Sequence, residues 1–117
     1  MTDRSRLYES PQDFFALNGN AVMRLSPAAA ASACEQAASR GIVVARVEGG
    51  IWSAPNFEAR GDCIWDGLDQ PVSQPQAAAN NLAAAQFIHA HANSHSAFIL
   101  TTYHFAGRSS PSTSAAP

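Results

Sequence analysis

The amino-acid sequence predicts an α+β domain: an antiparallel or mixed sheet of about four strands with its helices packed on one face. Three observations carry this expectation. Helix starts stand at Ser10-Pro11 and Ser26-Pro27, β-rich stretches stand at 42–48, 57–66 and 97–105, and the connections between them are short. Short connections favour neighbouring antiparallel strands, so the order is a β-α-β-β-α-β core behind a short N-terminal helix.

The 117 residues suit one domain. Of the 54 hydrophobic residues, 24 are alanine and two are cysteine, which leaves a thin core of 28 larger apolar side chains. No apolar run approaches the roughly 18–20 residues a bilayer requires, and Met1 to Arg6 lacks the apolar stretch of a signal peptide. A cytoplasmic location is expected.

Each element has its own signal. Ser10-Pro11-Gln12-Asp13 gives a cap, a proline at the first helical position and an acid in the first turn, and Asn18-Gly19-Asn20 ends that helix early. Residues 22–25 fit a brief strand, and Ser26-Pro27 opens a helix that stops at Gly41. Its apolar face is Ala30, Ala33, Cys34, Ala37 and Ala38, small residues that permit close approach to a sheet. Residues 42–48 are β-branched and apolar, and Gly49-Gly50 reads as the turn that ends them. From 57 to 66 the chain alternates, with Phe57, Ala59, Gly61, Cys63 and Trp65 assigned to the core and Glu58, Arg60, Asp62, Ile64 and Asp66 to an open face. Residues 67–75 read as a loop and 76–91 as an alanine-rich helix in which Asn81 shares a side with Ile88, a buried amide in need of partners. A last strand spans 97–105. Residues 1–22 form an N-terminal extension, 23–105 the domain, and 106–117, rich in Ser, Ala and Pro, a disordered tail.

Charge narrows the functional classes. All seven basic residues are arginine, and a net charge of −2 argues against a nucleic-acid binder that works by neutralising phosphates. The acids are concentrated: Glu48, Glu58, Asp62, Asp66 and Asp69 face a lone Arg60 in that stretch. In an extended strand, carboxylates four residues apart lie about 13 Å from one another, too far to share a proton. They make a row, which imitates a phosphate backbone better than it builds an active site. Trp65 reads as a core indole, whereas Trp52 either caps the core edge or offers a stacking surface beside the acids. Phosphate-loop, nucleophile-elbow and HExxH motifs are missing, and the two cysteines form no CxxC pair and read as buried thiols. Four histidines crowd into one stretch, His89, His91, His95 and His104, but Asn93-Ser94 should end the helix between His91 and His95. Solvated histidines are the simpler reading, so no metal, cofactor or catalytic residue is assigned; a small metal-dependent enzyme using His89, His91 and His95 is the rival, and a generic interaction domain the third reading.

Several features recur together: Leu25-Ser26-Pro27, Cys34, Ala37-Ala38, Gly41, Glu48-Gly49-Gly50, Trp52, Pro55, Phe57, Trp65, Asn80-Asn81-Leu82-Ala83 and Ala97-Phe98-Ile99. In order and spacing they resemble the colicin E5 immunity protein family over about 80 residues from Met23 onward, the Gly-Gly-x-Trp-x-x-Pro-x-Phe string being a moderately specific part of the match. The resemblance implies a non-catalytic immunity or antitoxin protein whose partner is a toxin ribonuclease domain that cuts tRNA in the anticodon. It implies occupation of that domain's RNA-binding cleft as an acidic RNA mimic; charge and the lack of a long apolar run add the expectation of no direct nucleic-acid or membrane contact. Against the family pattern, Glu48 replaces an Asp, the charges at Glu58 and Arg60 are exchanged, and Asp62 and Asp66 have no acidic counterpart, which points to a cognate toxin with an altered surface. The expected partner-binding residues are Glu48, Trp52, Glu58, Arg60, Asp62 and Asp66.

Overall fold

The computed structural model describes residues 2–69 and 73–105, so the tail expected at 106–117 and part of the loop expected at 67–75 lie outside it. The elements are β1 (Leu7–Tyr8), α1 (Pro11–Ala16), β2 (Arg24–Leu25), α2 (Pro27–Ala37), β3 (Ile42–Ser53), β4 (Asn56–Asp66), α3 (Gln74–His91) and β5 (Ala97–His104). They form the expected α+β layers around one mixed sheet of order β1-β2-β5-β3-β4. The fifth strand is β1, two residues too short to leave a sequence pattern, which pairs parallel with β2; all other pairings are antiparallel.

Local chemistry explains the helix boundaries. The Ser26 hydroxyl accepts from the Ala29 N–H at 3.2 Å, and a three-residue 3-10 turn carries α2 to Gly41, whose φ of 75° ends it in the left-handed region that glycine tolerates. At α3 the start lies two residues earlier than the alanine pattern suggests, because Ser73 and Gln76 cap each other's backbone reciprocally. Ser10 precedes α1 as expected, yet its side chain turns to Gln12 Oε1 at 3.2 Å instead of capping the helix.

The core lies between the helices and one face of the sheet. Phe98, Met23, Leu25, Ile88, Leu100, Val44 and Val47 are fully buried, and all five small residues of the α2 face are buried with them. Tyr8 and Phe14, from β1 and α1, join the same cluster.

Beside β5, β3 carries one extra residue between Val44 and Arg46, which frees backbone groups at the bulge. An asparagine pair on α3 satisfies them. Asn81 Oδ1 accepts from the Val44 N–H at 2.9 Å and its Nδ2 donates to the Ile42 carbonyl at 2.8 Å, while Asn80 Nδ2 donates to the Val44 carbonyl at 2.9 Å. Asn80 Oδ1 also accepts from the Leu68 N–H at 2.9 Å, fixing the exit of β4. Asn81 is thus the buried amide with partners that its position beside Ile88 called for.

Candidate functional site

The β3–β4 hairpin carries all six expected partner-binding residues. Gly49-Gly50 is not its turn. β3 runs on to Ser53, and the reversal falls at Ala54-Pro55, with Ser53 paired to Asn56 and the Ala54–Pro55 peptide cis. The two glycines sit inside the strand because neighbours press on them: a Cβ at Gly49 would stand 2.5 Å from Cys63 Sγ, and one at Gly50 would meet the Phe57 ring at 2.6 Å.

Those contacts expose a register change. Glu48 pairs with Ile64, but Gly50 pairs with Ala59, so β4 spends three more residues than β3 across the gap and 60–62 swing out of the ladder. An odd excess reverses the faces. Cys63 and Trp65 point toward the helices as expected, while Phe57 lies on the opposite face beside Gly50 and across from Trp52; Ala59 and Gly61 are exposed, not core. The alternation over 57–66 therefore does not describe one continuous strand face. Polarity on an edge strand enforces no register, and the bulge is free to take up the difference.

The six expected residues separate accordingly. Glu48 and Asp66 lie on the open face with Ile64 between them on the pairing pattern, and Trp52, half-buried, lies on the same face near the hairpin tip. Trp52 is in a strand, not a loop; its backbone N–H donates to Ser96 Oγ at 2.8 Å. Glu58 pairs opposite Ile51 and so takes the other face, and Arg60 and Asp62 are exposed on the bulge. The expected single row of carboxylates on one face is thus broken.

Two of the acids also meet arginines of the same chain. Arg46 Nε donates to Asp66 Oδ1 at 2.8 Å, and Arg60 Nη2 stands 3.4 Å from Glu58 Oε1. Both pairs are open to water, with side-chain exposures of 43% and 65% in the first, so each is worth about 0–1 kcal/mol and opens easily to a competing charge. Among the described residues Glu48 and Asp62 have no ion-pair partner. Residues 42–69 hold five acids against two arginines, a net negative hairpin.

Sequence reasoning passed over two groups here. Arg24, the β2 residue before the buried Leu25, brings its guanidinium 5.5 Å from the Phe57 ring centroid, and its buried Nε is without a hydrogen-bond partner among the described residues. Arg46 is the cation that fixes Asp66. Neither has a sequence signal, because each depends on the strand order and on the register.

The histidines do not converge as a trio. His89 Nε2 lies 4.0 Å from Glu35 Oε2 of α2, and His104 is exposed at the end of β5. His91 ends α3, as Asn93-Ser94 suggested, and with His95 it comes within 4.8 Å of the buried Cys63, ligand atom to ligand atom. Cys34, on α2, is fully buried near Ala78 and Asn81 of α3, and burial and then Glu35 push its thiol up to about 12.

The family model described as "Colicin-E5 Imm protein" matches residues 23–103, the span from just before β2 to near the end of β5. The chain belongs to the colicin-E5 immunity protein family. Among curated relatives, "Immunity protein CdiI" of Burkholderia pseudomallei is 51% identical over 105 residues, 90% of this chain and 96% of that protein. For this family member the match takes in the whole β3–β4 hairpin and the asparagine pair that supports it. Among its described residues no helix is long and apolar enough to cross a membrane.

Proposed function

We propose that this immunity protein neutralises a colicin E5-like ribonuclease toxin in the cytoplasm of the cell it protects, without catalysis of its own, by seating the β3–β4 hairpin in the toxin's RNA-binding cleft. The observation that carries the reading is the hairpin's open face. Glu48 stands there beside Ile64 and below Trp52 and Phe57, and Asp62 projects from the adjoining bulge. A ribonuclease cleft presents cations to phosphate and flat surfaces to bases, so an anionic strand with aromatic planes competes for both.

The mimicry in this form is narrower than a row of four acids. Glu48 and Asp62 are the acids without an ion-pair partner among the described residues, Asp66 becomes available only if a toxin cation displaces Arg46, and Glu58 lies on the opposite face beside Arg60. Those exposed pairs cost little to open. Arg24 and Arg46, on the same side of the sheet, set which toxin is accepted, since a cation opposite either one is rejected.

The test is binding of the ribonuclease domain encoded upstream to the double variant Glu48→Gln/Asp62→Asn. Affinity should fall by about 2–5 kcal/mol if these groups meet buried cations, with the thermal midpoint of the free protein unchanged. Wild-type association should slow steeply with added salt. Unaltered affinity in the double variant removes the anionic hairpin from the mechanism.

A further inference from the structure

We propose that Cys63, His91 and His95 form a zinc(II) site that fastens the edge of the sheet to the end of α3. Three elements contribute one ligand each. Cys63 lies on β4 next to the bulge, His91 is the last residue of α3, and His95 stands in the connection to β5. Their ligand atoms all lie within 4.8 Å of one another. Tetrahedral zinc, with bonds of about 2.3 Å to sulfur and 2.0–2.1 Å to nitrogen, holds such atoms about 3.3–3.6 Å apart, so side-chain rotations of about an ångström close the site.

A second observation prepares one ligand. His95 Nδ1 lies 3.2 Å from the His91 main-chain carbonyl oxygen and 3.0 Å from Ser94 Oγ. A carbonyl can only accept, so in the tautomer that makes this bond Nδ1 carries the hydrogen and Nε2 keeps its lone pair. Metal-bound histidines are commonly oriented in this way, by a hydrogen bond on the ring nitrogen that does not ligate. Phe87, 4.3 Å from the His91 ring centroid, and Phe98, 6.4 Å from that of His95, give the cluster an apolar wall.

The donor set suits a divalent borderline cation. Zinc binds the Cys63 thiolate, and the thiol's proton leaves to solvent. One thiolate and two imidazoles select zinc over magnesium or calcium, which take oxygen ligands. Three protein ligands leave one position of the tetrahedron for water or an incoming group.

This proposal does not depend on toxin binding. The bound metal would cross-link β4 at its weakest point, where 60–62 leave the ladder, to α3 and the β5 connection, restricting the unfolded chain as any closed loop does.

The full-length, reduced protein, stripped with chelator, is titrated with zinc(II) by calorimetry and with cobalt(II) by absorption. Expected are one equivalent bound tighter than about 1 µM, a near-ultraviolet thiolate-to-cobalt band with tetrahedral visible bands, and a higher thermal midpoint with zinc. His95→Gln, at a half-buried loop position, and Cys63→Ser should each weaken zinc by at least about 10-fold, and Cys63→Ser should lose the thiolate band, whereas His89→Gln should change neither. Circular dichroism checks each fold, and His95→Gln decides alone if Cys63→Ser does not fold. Zinc weaker than about 100 µM in the wild type, or a His95→Gln protein that binds as tightly as wild type, overturns the site.

Discussion

β3 has two neighbours and treats them differently. Along β5 the pairing runs from Ile42 opposite His104 to Gly50 opposite Ala97 with a single extra residue, and that irregularity is answered by Asn80 and Asn81. Along β4 the pairing jumps by three residues, and the side chains released there are answered only by exposed ion pairs and water. The lesson is about what fixes a register. Where both strands bury Val47, Phe98 and Leu100, the ladder gives up a single residue; on the edge strand the residues that leave the ladder, 60–62, are all exposed, while the buried Cys63 and half-buried Trp65 stay turned to the core.

Substitutions can break this contrast, beginning with the largest expected effect. Phe98→Ala empties a fully buried site and should cost about 3–5 kcal/mol in denaturant unfolding, whereas Phe57→Ala, on the open face, should cost about 1 kcal/mol. Equal losses would return Phe57 to the core and undo the three-residue slip. Asn81→Ala leaves the Val44 N–H and the Ile42 carbonyl unpaired in a dry place, for an expected loss of about 3 kcal/mol by thermal or chemical unfolding. A loss near zero would mean that water replaces the amide and the β5 side of β3 is no better sealed than the β4 side. Asp66→Asn should change stability by less than about 1 kcal/mol, since the Arg46 pair is open to solvent. A loss of several kcal/mol there would show that the outer strand is held by charge after all.

The same contrast explains what could be read from the sequence. The helix caps at Ser26, the stop at Gly41, the small-residue face of α2 and the partnered amide at Asn81 were legible because each is a local signal or a consequence of burial. β1 was not, since two residues give no period. The true turn at Ala54-Pro55 was hidden behind Gly49-Gly50, glycines placed for close approach of Cys63 and Phe57 and not for reversal. In the candidate site the residue types were legible and their grouping was not. Glu48, Trp52 and Asp66 share a face, but Glu58 does not, because the odd excess in β4 inverts everything toward the hairpin tip. Cys63 showed as a lone thiol for the same reason: its company with His91 and His95 arises from strand order, with no spacing to announce it.

The outswing at 60–62 also governs how another molecule can approach. β4 is the outer border of the sheet among the described residues, a place where a foreign strand would ordinarily add itself by main-chain hydrogen bonding. With Arg60, Gly61 and Asp62 pushed out of line, that border is split into two short halves whose carbonyls and amides fall out of step. An annexing strand, whether from a sister molecule or from a partner, meets a broken template, so recognition along this flank must be made by side chains.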